Sequence, residues 1–235
     1  MTAKKFCILS IPRTGSSLLV TALRQHPQIL CHGEIFHPHV DWHIFGQARN
    51  SIDLTLRTSN PVEFVNRIYS ENDGAKFVGF KIFRGHNDVA LDAILHTSEI
   101  KKIVLRRSNA LASYSSHVLA EKTDVWNSEE DIRMNETIEF DQVRFSEHIE
   151  WERETYSLYN QVLSNTGQSH LSILYADVVQ AGFGAVLSFL GADLNVEVTA
   201  KTKKLYSSHI IDRFKNPAQV LAFLHEIGHP EWAHE

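Results

Sequence analysis

Cysteine is nearly absent from this 235-residue chain, which holds only Cys7 and Cys31. Two cysteines cannot build a disulfide framework, so a reducing compartment is the simpler setting. A basic excess is also missing: 23 Lys and Arg stand against 28 Asp and Glu, for a net charge of −5. General binding to nucleic acid or to an anionic membrane calls for the opposite balance. Net charge says nothing about clustering, so a local basic pocket for one anionic ligand stays compatible. Long apolar runs are missing too. Phe6 to Leu9 is too short for a signal peptide or a membrane span. The expectation is a cytoplasmic protein with no integral membrane segment. Repeats, low-complexity tracts and interdomain linkers are absent, so residues 1–235 are expected to form one domain.

The composition is that of an ordinary globular protein, with 43% hydrophobic and 22% charged residues. Phe6 to Leu9 reads as a buried strand, with Cys7 inside it. A turn follows from Ile11 to Ser16, then a helix from Ser17 to Arg24 that His26-Pro27 stops. Ile29 to Asn60 reads as loops with a short second strand near Ile29 to Cys31. Pro61 opens a helix to about Ser70. Lys76–Phe83 and Lys102–Leu105 read as strands, each followed by a helix, Asp88–Leu95 and Asn109–Leu119, the latter capped by Asn or Ser. Glu121 to Glu136 reads as an exposed loop. A long helix over Phe140–Leu163, a strand over Leu171–Tyr175 and helices near Phe183–Leu190 and from Pro217 complete the chain. Strands alternating with helices predict a three-layer α/β fold with a mostly parallel central sheet. Ligands bind such sheets at the carboxyl ends of the strands, where the loop Ile11–Ser17 lies.

That loop has the chemistry of a phosphate-binding loop. Backbone N–H groups at a helix start attract an anion. Gly15 permits close approach, Thr14, Ser16 and Ser17 offer hydroxyls, and Arg13 offers a charged fork. The nucleotide triphosphate loop G-x-x-x-x-G-K-[ST] is not present. Ser10 stands at its first glycine and Ser16 at its lysine, which disfavours ATP or GTP phosphoryl transfer.

The stretch Ile11-Pro12-Arg13-Thr14-Gly15-Ser16-Ser17-Leu18-Leu19 resembles the 5′-phosphosulfate loop of sulfotransferases that use 3′-phosphoadenosine 5′-phosphosulfate (PAPS). Ile103-Val104-Leu105-Arg106-Arg107, with Ser115 eight residues after Arg107, resembles that family's 3′-phosphate motif; Arg106 or Arg107 would be the ligand, with Ser115. Leu171 to Val178 followed by Ser188-Phe189-Leu190-Gly191 resembles a third family element, which would bring Tyr175 to the adenine. Lys203 to Phe214 is similar to the family's loop that closes over the cofactor. The Arg-Arg pair, with Trp126 further on, looks most like the bacterial branch that sulfates glycolipids, trehalose-based lipids among them. The resemblance implies PAPS as donor and a carbohydrate, glycolipid or small-metabolite hydroxyl as acceptor, with no metal required.

The acceptor hydroxyl must lose a proton as it attacks, so a general base is needed. Glu34, in Cys31-His32-Gly33-Glu34, matches where several branches of the family place a base glutamate. His86, in Phe83-Arg84-Gly85-His86, is the rival, with the better intrinsic pKa. Lys81 and Arg84 are candidates for contact with substrate or sulfonate. His32, His37, His39 and His43 crowd the loop beside Glu34, but no paired cysteines accompany them and Pro38 breaks helical spacing. No metal is assigned there; these four histidines, with Phe36 and Trp42, are instead expected to line the acceptor site. Two other readings stay open: a nucleotide phosphotransferase on the same sheet, and a non-catalytic protein of this fold that binds 3′-phosphoadenosine 5′-phosphate (PAP).

Overall fold

The computed structural model describes residues 2–39, 43–127, 134–201 and 205–235. Trp42 and Lys203 lie outside the described residues. Five strands form one sheet: β1 (Lys4–Ser10), β2 (Ile29–Glu34), β3 (Phe77–Phe83), β4 (Ile100–Arg106) and β5 (His170–Leu174). Their order is β2-β3-β1-β4-β5, and every pairing is parallel. β1 is central, and its run Phe6-Cys7-Ile8-Leu9 is fully buried because both faces of the sheet are covered.

The strand period of two sorts these residues onto two cores. Phe6 and Ile8 face α1 (Ser16–Leu23) through Leu19 and Leu23. The same face receives α8 (Tyr175–Ala181) and α9 (Gly184–Leu190) through Val178, Val186 and Leu187. Cys7 and Leu9 face the other way. There they meet α4 (Pro61–Ser70), α5 (Asp88–His96) and α7 (Gln142–Asn165) through Phe64, Ile68, Leu91, Tyr156 and Tyr159. Gly79 of β3 leaves the space that the Phe6 ring fills. A third core joins α6 (Ala110–Thr123) to α10 (Pro217–Glu226) through Leu111, Phe145, Phe214 and Phe223. Two isolated bridges, Ile138 to Phe214 and His209 to His234, bring the last thirty residues beside α6.

Side-chain caps fix several helix starts. Asn60, Asn87, Asn109 and Asp141 each accept a hydrogen bond from the backbone N–H three residues on. The structure differs from the sequence expectation in four places. β2 continues past Cys31 to Glu34, through an irregular pairing with β3 between those two residues. The supposed loops before Asn60 contain two single-turn helices, α2 (Ala48–Ser51) and α3 (Leu56–Ser59). α6 runs past Leu119 to Thr123, where Asp124 adopts φ 57° and ends it. Tyr175 starts a helix and does not end a strand, because the Asp177 carboxylate caps the Leu174 N–H. Among the described residues, no helix is long and apolar enough to cross a membrane.

Candidate active site

The carboxyl ends of β1, β2, β3 and β4 open onto a cavity of about 890 Å³. Its floor is the loop between β1 and α1. Arg13 and Gly15 both adopt positive φ, 66° and 88°. With this kinked backbone the chain turns from strand into helix within five residues. Gly15 also lies directly under the Tyr175 ring, where a Cβ would collide with the ring carbons. The Thr14 hydroxyl donates to the Ile11 carbonyl at 2.9 Å and is buried, so it fastens the turn and does not face the cavity.

Cations gather at one end. Arg13 donates from Nε to Ser116 Oγ at 2.9 Å and from Nη1 to the Trp126 carbonyl. Arg107 donates from Nη1 to the Arg13 carbonyl at 2.9 Å, and its guanidinium lies 5.1 Å from the Tyr175 ring centre. Its other nitrogens reach Glu235, at 2.6 and 2.5 Å. Arg213 is buried, donating to the Ser207 carbonyl and to Ser115 Oγ at 2.9 Å. Burial lowers the Arg13 pKa to about 10, with Tyr206 opposing and Arg107 adding to the shift. Burial likewise lowers Arg213 to about 10, and Arg107 adds to that shift too. Three guanidiniums thus gather at one end of the cavity, two of them desolvated and one paired with a carboxylate.

At the other end stands one carboxylate. Glu34 Oε1 pairs with Lys81 Nζ at 2.8 Å, and Oε2 lies 3.6 Å from His86 Nε2. Lys81 is buried and also donates to Ser17 Oγ at 2.9 Å, so it links the carboxylate to the start of α1. Burial alone would raise the Glu34 pKa; Lys81, with His86 and His43, outweighs it and holds the carboxyl below its ordinary value. His86 is lowered by burial, with Glu34 opposing, and burial brings His43 to about 4. The rings of His37 and His43 lie 4.8 Å apart at this end.

The structure brings ten of the residues predicted from sequence to the cavity wall: Arg13, Gly15, Ser16, Ser17, Glu34, His37, Lys81, His86, Arg107 and Tyr175. Others lie elsewhere. Arg106 falls on the opposite face of β4 by strand alternation, with its guanidinium 4.5 Å from the Tyr156 ring centre. Ser115 is buried behind Arg213. Phe36 is packed into the core, edge-on to Phe64 at 5.4 Å, so it offers no acceptor surface. Arg84 pairs with Glu154 on α7, outside the cavity. Trp42 lies outside the described residues. The sequence reading missed Arg213, Ser116 and Tyr206, all in the cavity wall; His39 and His43, two more of the four loop histidines expected at the acceptor site, line the cavity as well, while His32 is buried. Arg213 and Tyr206 fall within the stretch that resembles a closing loop, and Ser116 adjoins Ser115. Among the described residues, no group of three or more His, Cys, Asp or Glu side chains is placed to hold a metal ion.

No protein-family model matches the chain, and no curated protein matches it. A solved structure does: the sulfotransferase from Alicyclobacillus acidocaldarius, 14% identical, with a TM-score of 0.56 over 96% of this chain and 93% of that one. A mouse sulfotransferase, SULT7A1, complexed with PAP, is also 14% identical; its TM-score is 0.44 over 82% of this chain and 60% of that one. The bacterial likeness extends over nearly the whole of both chains. The fold is a sulfotransferase fold: a five-stranded, all-parallel sheet covered by helices on both faces.

Proposed function

We propose that this chain transfers a sulfuryl group from PAPS to an acceptor hydroxyl, with Glu34 as the general base. One observation carries the reading: a single cavity joins an end lined by Arg13, Arg107 and Arg213 to a half-buried carboxylate at the other end. The donor supplies an activated sulfuryl group. Arg107 and Arg213 would hold its 3′-phosphate, and Arg13 with the backbone and hydroxyls of Gly15, Ser16 and Ser17 its 5′-phosphosulfate. Tyr175 offers a ring face to the adenine.

The acceptor oxygen forms its bond to sulfur as the bond from sulfur to the bridging phosphate oxygen breaks. The acceptor proton goes to Glu34, and PAP leaves with the bridging oxygen. Arg13 offsets the charge that grows on that oxygen. The preference for Glu34 over His86 rests on hydrogen bonding. His86 Nδ1 accepts from the Phe83 N–H at 3.4 Å, which leaves the Nε2 proton facing Glu34. A ring so engaged supports the carboxylate and does not compete with it for the acceptor proton. His37 and His43, with His86, give the acceptor end polar, hydrogen-bonding walls, which suit a polyhydroxyl acceptor such as a carbohydrate better than an aromatic phenol.

The test is transfer of label from PAPS carrying radioactive sulfur to a panel of sugars, glycolipids and phenols. Label on a sugar or glycolipid hydroxyl, lost in Glu34→Gln, is the expected result. Binding of PAP with no label on any acceptor would replace the enzyme with a binding protein of the same fold.

A further inference from the structure

All three nitrogens of Arg107 are engaged. Nε and Nη2 donate to the two carboxylate oxygens of Glu235, at 2.6 and 2.5 Å, while Nη1 holds the Arg13 carbonyl. The pair is largely withdrawn from water, with side-chain exposures of 10% and 16%. Glu235 reaches it from an anchored backbone. Its N–H donates to the Ser208 carbonyl at 3.0 Å, and His234 bridges His209. The Asn109 side-chain amide, at the start of α6, donates to the carbonyls of Trp232 and His234 at 3.0 and 2.8 Å. The Trp232 ring is stacked on His229 at 4.0 Å. These contacts deliver one carboxylate to one guanidinium among the cations of the cavity.

The forked face of a guanidinium receives a carboxylate and a phosphate in the same two-pronged way, and it cannot receive both at once. We propose that Glu235 is a tethered competitor for the anion that Arg107 receives. The inference rests on the donor reading above, in which that anion is the 3′-phosphate. Entry of the phosphate displaces the carboxylate from Arg107, and return of the carboxylate helps PAP depart. The exchange breaks and forms only hydrogen bonds and ion pairs. A nucleotide without a 3′-phosphate leaves the Glu235 pair in place, so Glu235 weakens the 3′-phosphorylated ligand selectively.

Isothermal titration of the intact chain and of Glu235→Gln with PAP and with adenosine 5′-monophosphate tests this. The expected result is PAP binding about tenfold tighter in the variant, with the monophosphate unchanged. Equal or weaker PAP binding in Glu235→Gln would show that the carboxylate orients Arg107 and does not compete, which overturns the proposal while the donor reading stands. An equal gain for both nucleotides would also overturn it, since that is a general charge effect. Failure of both chains to bind PAP would overturn the donor reading and this inference with it. Glu235→Ala gives the same comparison should the glutamine variant not fold.

Discussion

Arg13 and Arg213 sit at one end of the cavity with pKa values brought down to about 10 by burial and by neighbouring Arg107. At the other end Glu34 is held below its ordinary pKa by Lys81, against the effect of its own burial. The first end is a set of guanidiniums of which one, Arg107, is paired with Glu235. The second is a carboxylate already compensated, close to neutral imidazoles. The contrast matches the two tasks of the proposed function, donor binding at one end and proton transfer at the other, and Lys81 touches both ends through Ser17 and Glu34.

Substitutions at each end should separate those tasks. The largest effect is expected for Glu34→Gln: turnover falls by about 10³ while PAP affinity, measured by titration, stays within about twofold. Arg107→Ala should do the reverse, lowering PAP affinity by about 10² in the same titration, since it removes a charge-assisted pair from a desolvated site. If both substitutions changed affinity alike, the division between the ends would fail.

Lys81→Met sharpens the comparison through pH. As the proposed base, Glu34 would act only when ionised, so kcat/KM should fall as pH falls through its pKa. Lys81 holds that pKa low; without it, burial dominates and the pKa rises. The acid limb of the pH–rate profile should therefore move to higher pH, with activity lost about tenfold more steeply near pH 5 than near pH 8. An unmoved acid limb would assign it to another group.

The smallest effect concerns a carboxyl outside the cavity. Glu152 on α7 is buried, one of its oxygens lacks a hydrogen-bond partner, and burial raises its pKa to about 7, against Arg106 and Arg107. Its native state holds a proton more tightly than the unfolded chain does, so its contribution to stability is lost as pH rises from the ordinary carboxylate range through about 7. Glu152→Gln should remove that loss and stabilise the protein by about 1–3 kcal/mol at pH 8, with little gain at pH 5, in urea unfolding. Transfer activity at pH 8 should stay within about twofold.

The donor end was far more legible in the sequence than the acceptor end, for a physical reason. Arg13, Gly15, Ser16 and Ser17 belong to one short loop and helix start, and Arg107 follows a strand directly, so local pattern places them. The five strands and most helices were legible likewise, from apolar runs and caps. His43 reaches the cavity through a loop, its carbonyl accepting the Gly33 N–H at 2.7 Å, which no periodicity encodes. Arg213 and Tyr206 arrive from about a hundred residues beyond Arg107. Phe36 shows the converse. Glu34 and His37 on either side face the cavity, but the chain turns after Glu34 and sends the Ile35 and Phe36 side chains into the core.

The central claim is that the arginine end receives a 3′-phosphorylated adenine nucleotide. Thermal unfolding with PAP, ADP and ATP–Mg²⁺ tests it most directly. A ligand at a hundred times its Kd stabilises by about 2.7 kcal/mol, which raises Tm by about 5–10 °C for a chain of this size. The account predicts that shift with PAP and a much smaller one with ADP or ATP–Mg²⁺. A shift with ATP–Mg²⁺ alone, or with none of the three, would contradict it.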